Sequence, residues 1–199
     1  MDVVWLKKDA RLHDHGPLAS VASGPRPFCI LYIYEPDILS HHSCHGSQVN
    51  FCNEGLLDLD KRLRNIVETT EPCITCSVGE ATQVLSRMNR MTKIKRLLAH
   101  EETGHNISYA RDKRVRKWCK QQNIQFIEFN QTGVTRCLRN RDNFTVNFNK
   151  FMNRDIHKVK NFQEVKSKLI LPSSFKSVHS GLLSSDQLSS LSAEHRGDR

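Results

Sequence analysis

Strand-like and helix-like patterns alternate along the first 130 residues, and this rhythm constrains the fold more than any other feature. Residues 2–6 (Asp-Val-Val-Trp-Leu) and 28–34 (Phe-Cys-Ile-Leu-Tyr-Ile-Tyr) are short apolar runs. Residues 73–78, 94–99 and 124–129 supply three more. Continuous apolar strands are buried on both faces, as in parallel sheets. Between them lie helical patterns. Pro17 to Ala22 starts a short helix. Val49, Cys52, Leu56, Leu59, Leu63 and Ile66 recur every three or four residues, with Asp58, Asp60, Lys61, Arg62 and Arg64 on the other faces. Gly79 opens a third helix with Ala81, Val84, Leu85 and Met88 on one side. Residues 106–122 form a fourth, with Ile107, Ala110, Val115 and Trp118 as core candidates. The pattern predicts an α/β fold: a doubly wound, five-stranded parallel sheet of Rossmann or flavodoxin type over residues 1–130.

In such a sheet ligands sit outside the carboxyl ends of the strands, where strand order reverses. Those ends carry Lys7, Lys8, Asp9, Arg11, Glu35, His100, Glu101 and Glu102. Lys8, Asp9, Arg11, Glu35, His100 and Glu101 are the candidate ligand residues, centred between the first and fourth strand ends. Neither GxGxxG nor GxxxxGK[ST] is present, so an ordinary dinucleotide or P-loop site is not expected. A GxSxG nucleophile elbow is absent too.

Charge adds a second expectation. Of 199 residues, 30 are Lys or Arg and 21 Asp or Glu, a net charge of +9. Between Arg87 and Arg141, 14 basic residues face 4 acids, which accounts for the whole excess. Arg111, Arg114 and Lys117 fall on one helix face, and Arg136 and Arg139 follow in a loop. A surface for weak contact with nucleic-acid phosphates is expected there. Few aromatic residues interleave with these charges, which argues against base stacking.

The 7 cysteines suit reduced thiols in an intracellular protein, its compartment open. Cys73 and Cys76 read as strand residues on opposite faces, not a ligand pair. His41, His42, Cys44 and His45 form a dense cluster without a second ligand pair, so no metal site is expected. No run approaches the ~18 apolar residues of a membrane helix. The opening residues are too charged for a signal peptide.

After Gln131 the character changes. Residues 131–170 read as a basic connecting segment, helical from Phe144 to about Lys168. Residues 171–199 are rich in serine and read as a disordered tail.

Taken together, these segments resemble the N-terminal α/β domain of the photolyase/cryptochrome family. Val4-Trp5-Leu6-Lys7-Lys8-Asp9-Ala10-Arg11-Leu12-His13-Asp14-His15 is similar to that family's opening, usually Val-Trp-Phe-Arg-Arg-Asp-Leu-Arg-Leu-x-Asp-Asn. Leu31-Tyr32-Ile33-Tyr34-Glu35-Pro36, then Gln48, Phe51, Glu54, Leu56, Leu59 and Asp60, continue the match. His100-Glu101-Glu102-Thr103-Gly104, Tyr109-Ala110-Arg111-Asp112-Lys113 and Gln131-Thr132-Gly133-Val134-Thr135-Arg136-Cys137-Leu138-Arg139 complete it. Leu6, Lys7, Lys8 and Ala10 depart from the usual residues. The resemblance implies a relation to blue-light-driven DNA repair or light sensing, with an antenna of folate, FMN or deazaflavin type, or none, in the α/β domain. The His100-Glu101 turn matches the family turn that approaches a folate. The family's FAD sits in a helical domain larger than this whole chain. FAD and dimer repair are therefore not expected of this chain alone, and its apolar Phe144, Phe148, Phe151 and Met152 are expected to promote self-association. The competing reading is a stand-alone Rossmann-like module for a nucleotide-like ligand or an acidic partner.

Overall fold

A computed structural model describes residues 1–159, 162–184 and 187. The five apolar runs all form strands: β1 (Asp2–Leu6), β2 (Phe28–Tyr34), β3 (Ile74–Val78), β4 (Arg96–His100) and β5 (Gln125–Phe129). Helices α1 (Gly16–Ala22), α2 (Pro36–Leu39), α3 (Gly46–Val67), α4 (Ala81–Thr92) and α5 (Asn106–Gln121) lie between them. The five strands are parallel in the order β5-β4-β1-β2-β3, with Val4 level with both Ile30 and Leu98. The chain runs outward through β2 and β3, then returns to the other side of β1 for β4. The reversal therefore lies at the carboxyl ends of β1 and β4.

Alternation along each strand divides the core into two layers. Val4, Leu6, Ile30 and Leu98 face Leu18, Val21, Leu56, Leu59 and Leu63 of α1 and α3. Val3, Trp5, Leu31, Leu97 and Ala99 face Val84, Leu85, Met88 and Val115 of α4 and α5. Both faces are covered, which is why the strands are apolar throughout.

Local chemistry sets the helix ends. His45 accepts the Ser47 N–H at 3.2 Å, while the Gln48 side chain takes the His45 N–H, closing a capping box on α3. Glu80 caps α4 by accepting the Gln83 N–H at 3.0 Å. Gly79, between β3 and α4, has φ +140, a conformation that a side chain would strain.

Three sequence expectations need correction. A sixth strand, β6 (Lys176–Ser177), runs antiparallel to β3, and the short helix α8 (Val178–Gly181) follows it. Phe175 and Val178 are buried, and the Leu183 carbonyl accepts from Asn53. This part of the expected tail thus covers what would be an open sheet edge. The rest of that tail, residue 187 excepted, lies outside the described residues. Second, the single helix expected from Phe144 to Lys168 is two, α6 (Asn143–Met152) and α7 (Phe162–Lys168). Between them Asp14 binds the Arg154 guanidinium at 2.9 and 2.8 Å and the His157 N–H at 2.8 Å, holding the chain out of helical geometry. Third, Cys73 and Cys76 share one core layer, because β3 begins only at Ile74. Burial pushes both thiols up to about 12.

Candidate functional site

Where β1 ends, its polar residues turn inward. Lys7 is buried, donating to the His100 carbonyl at 3.0 Å and to Asp112 at 2.9 Å, with its ammonium 4.7 Å from the Trp5 ring centroid. Burial lowers its pKa more than Asp112 restores it. Asp9 is buried as well. One of its oxygens accepts the Lys7 N–H at 2.6 Å; the other takes the His100 Nδ1–H at 2.5 Å and lies 3.2 Å from His15 Nε2. Burial alone would raise the Asp9 pKa, but these two imidazoles outweigh it and hold the carboxyl below the usual range. His15 stands where the family opening usually has Asn.

Asp9, His15 and His100 are also close enough together to present ligand atoms to one metal ion. His15 argues against that use. Its Nδ1 accepts the Leu18 N–H at 3.1 Å, capping α1, so its Nε2 carries the proton. A protonated nitrogen has no lone pair for a metal. The cluster works as a brace tying the β1 turn to α1 and β4.

Beside it lies a second buried network. Arg111, on α5, donates to Glu35, Glu102 and Asp112 and places its guanidinium carbon 4.7 Å from the Trp5 ring centroid. Arg136 donates to the Glu102 carbonyl at 2.8 Å, to Glu128 at 2.9 Å and to Asp112 at 2.8 Å. Burial pushes Glu35 up to about 7 in spite of Arg111.

These observations redraw the expected phosphate surface. Arg111 is only 2% exposed and neutralises buried carboxylates, so it cannot reach a phosphate. Arg136 is likewise engaged internally. Arg114, Lys117 and Arg139 are exposed, as are Lys113, Arg116 and Lys120. The reason lies in helical phase: the buried stripe of α5 is Ser108, Arg111, Asp112, Val115 and Cys119, with Trp118 half-buried against the same core layer and Ile107 and Ala110 only half-buried. An Arg-Asp pair in phase with Val115 was the signal that could have revealed this.

Above both networks opens a crevice of about 720 Å³ at the β1 carboxyl end. Tyr32, Ile38, Cys44, Phe51, Cys52, Leu56 and Ile107 give it apolar walls. Lys8, Asp9, Arg11, His41, Gln48, Glu102 and His105 supply polar groups. The N-terminal turns of α3 and α5 both open onto it, through Ser47 and Ser108. Helix N-termini favour anions. Phe51 is 77% exposed, an unusual position for a large aromatic ring beside a cavity.

Of the expected ligand residues, Lys8, Asp9 and Arg11 line this crevice. Arg11 donates to the carbonyls of His13 and Asp14, which fixes its direction. Glu35 lines a smaller adjoining cavity of about 110 Å³. His100 and Glu101 line neither. The Glu101 N–H binds the Phe129 carbonyl at 2.8 Å, which ties this residue to β5, while the next residue of the turn, Glu102, lines the crevice. Phe51, His41 and His105 are lining residues that the strand-end argument missed, because they come from α3 and from loops.

Known proteins share this architecture. Residues 2–164 match the family model described as DNA photolyase. Cryptochrome-1 of Drosophila melanogaster is 22% identical over 130 residues, covering 64% of this chain and 24% of that protein. A solved archaeal photolyase from Sulfolobus tokodaii, described as holding two FAD molecules and implying a novel light-harvesting cofactor, superposes with a TM-score of 0.69 at 22% identity, covering 96% of this chain and 42% of that one. A Synechocystis cryptochrome gives a TM-score of 0.63 at 16% identity, covering 88% and 38%. The chain thus spans less than half the length of each relative. With the family model covering most of its residues, this protein belongs to the DNA photolyase family, and its sheet and flanking helices form that family's N-terminal α/β unit.

Proposed function

We propose that the crevice is an antenna-type site for a flat, anionic-tailed chromophore of the flavin or deazaflavin class. Phe51 carries the reading: a stacked ring would cover an aromatic face that is otherwise largely exposed to water. The volume suits a cofactor-sized ligand. Ile38, Leu56 and Ile107 offer apolar contact, Gln48 offers its amide N–H donors, and Lys8 and Arg11 offer charge to the tail. The light-harvesting cofactor in the Sulfolobus tokodaii description supports the same class. A folate held by Glu101 is disfavoured, since that residue lines neither cavity. Such a chromophore absorbs blue or near-ultraviolet light; the side chains only bind it, orient it and keep water from it. Within the family's light-driven DNA repair or light sensing, we read this unit as the antenna-bearing part, with the FAD-dependent step outside its own residues.

The test is a titration of the purified chain with FMN, a deazaflavin and a reduced folate, followed by fluorescence. Saturable quenching of the first two, weakened in Phe51→Ala with circular dichroism unchanged, supports the assignment. Equal, negligible responses to all three reject it.

A second reading concerns the α5 surface. Lys113, Arg114, Arg116, Lys117 and Lys120 are all exposed, while the single acid of this helix, Asp112, is buried. We propose it as the site of weak, sequence-independent contact with duplex phosphates.

A further inference from the structure

The mouth of the crevice is built from histidines. His41, in the turn after α2, lies beside His42 with ring centroids 4.1 Å apart and the rings tilted by 38°, and beside His105, which precedes α5, at 5.7 Å and 46°. His41 and His105 line the crevice directly. His45 has a separate task, since its Nδ1 caps α3. His41 Nδ1 accepts the Ser43 N–H at 3.3 Å, which leaves its Nε2 as the ring nitrogen not engaged by Ser43. Nearby side chains are of mixed charge. Lys8 and Arg11 are cationic; Glu102 is anionic but committed to Arg111, with Lys8 at 3.8 Å; Asp9 is committed to its imidazole brace. The thiols of Cys44 and Cys52 complete the wall.

We propose that His41, His42 and His105 form a pH-gated clasp for the phosphate-type tail of the crevice ligand. The inference rests on the crevice being a ligand site. A proton on His41 places a cation within ring-contact distance of two further imidazoles. His41 titrates below its ordinary value through lost solvation and through His42 and His105. A bound dianion supplies the missing countercharge, so binding takes up protons and tightens as pH falls through the histidine range. The helix N-termini of α3 and α5 and the fixed charges of Lys8 and Arg11 provide a pH-independent base level.

The experiment has two arms. In the first, inorganic pyrophosphate is titrated into the chain while histidine ring protons are followed by NMR. In the second, FMN and riboflavin, which differ by the phosphate, are compared by fluorescence at about pH 8 and about pH 6. Pyrophosphate should raise the apparent pKa of His41 and move the ring-proton signals of His42 and His105. FMN should bind about tenfold more tightly at the lower pH while riboflavin stays constant. The triple variant His41→Asn, His42→Asn, His105→Asn should lose the pH dependence of FMN binding, its fold checked by circular dichroism. Riboflavin and FMN binding alike, without any pyrophosphate effect, would overturn the clasp and leave the flavin reading standing. A pyrophosphate effect without binding of either flavin would support the clasp and overturn the flavin reading. Silence in both arms overturns both.

Discussion

Replacing Arg111 with Ala tests most directly whether its role is structural. Arg111 is the shared cation of Glu35, Glu102 and Asp112 and is 2% exposed. Without it, Asp112 keeps Lys7 and Arg136, and Glu102 keeps a distant Lys8, but Glu35 loses its partner. Above the Glu35 pKa, an uncompensated buried charge of this kind costs about 3–5 kcal/mol. For a chain of this size the melting temperature should fall by on the order of 10 °C. Arg111→Lys should recover only part of the loss, since an ammonium cannot reach three carboxylates in the planar geometry of a guanidinium. Glu35→Gln in the Arg111→Ala background should also restore stability, because it removes the stranded charge. The deficit should shrink on acidification, as Glu35, already pushed up to about 7, takes up its proton. Urea unfolding of the four proteins, with Lys117→Ala as the exposed control, gives the comparison. If Arg111→Ala unfolds within about 0.5 kcal/mol of Lys117→Ala, the buried-network argument is refuted.

Acid should act through the Asp9 brace. The folded His100 pKa is lowered by burial, so only the unfolded state gains its proton just below about pH 6.5, and stability falls there; Asp9, held low, adds a further loss below about pH 4. His100→Gln should flatten the upper part of that slope in urea titrations, and an unchanged slope would contradict the assignment. Asp60→Ala should cost about 2–4 kcal/mol, because this buried carboxylate accepts the N–H groups of Cys73 and Ile74 and pairs with Arg64 and His179; faster amide exchange at Cys73 and Ile74 would locate the effect, and unchanged exchange would argue against it. Lys117→Glu with Lys120→Glu should abolish any salt-sensitive binding of duplex DNA, whereas persistence of binding would place the contact elsewhere. Phe144, Val146 and Met152 remain exposed on α6, so sedimentation should show concentration-dependent association that Val146→Glu suppresses; a strictly monomeric wild type would count against it.

The alternation of apolar runs was enough to determine the five strands, their parallel arrangement and the strand ends where a crevice had to open. These features follow from periodicity and from burial on both sheet faces, and both are written in local sequence. The short strand β6 was not legible, because two residues have no period; it exists only because an edge of β3 was there to be covered. Asp60 looked like one more charge on the solvent side of α3, and only the packing of β3 and α8 against that helix made it a buried anchor. Arg111 looked like a phosphate ligand because it shares a basic run with Arg114 and Lys117. Its fate was set by rotation of α5 about its axis, which turned Arg111 toward Glu35 and left the other two in solvent. Glu101 and Phe51 exchanged roles for a similar reason. A strand end places a residue near a site, but the direction of the next turn decides which side chain enters it. Tertiary structure alone made these decisions, since each depends on partners 9 to 119 residues away along the chain.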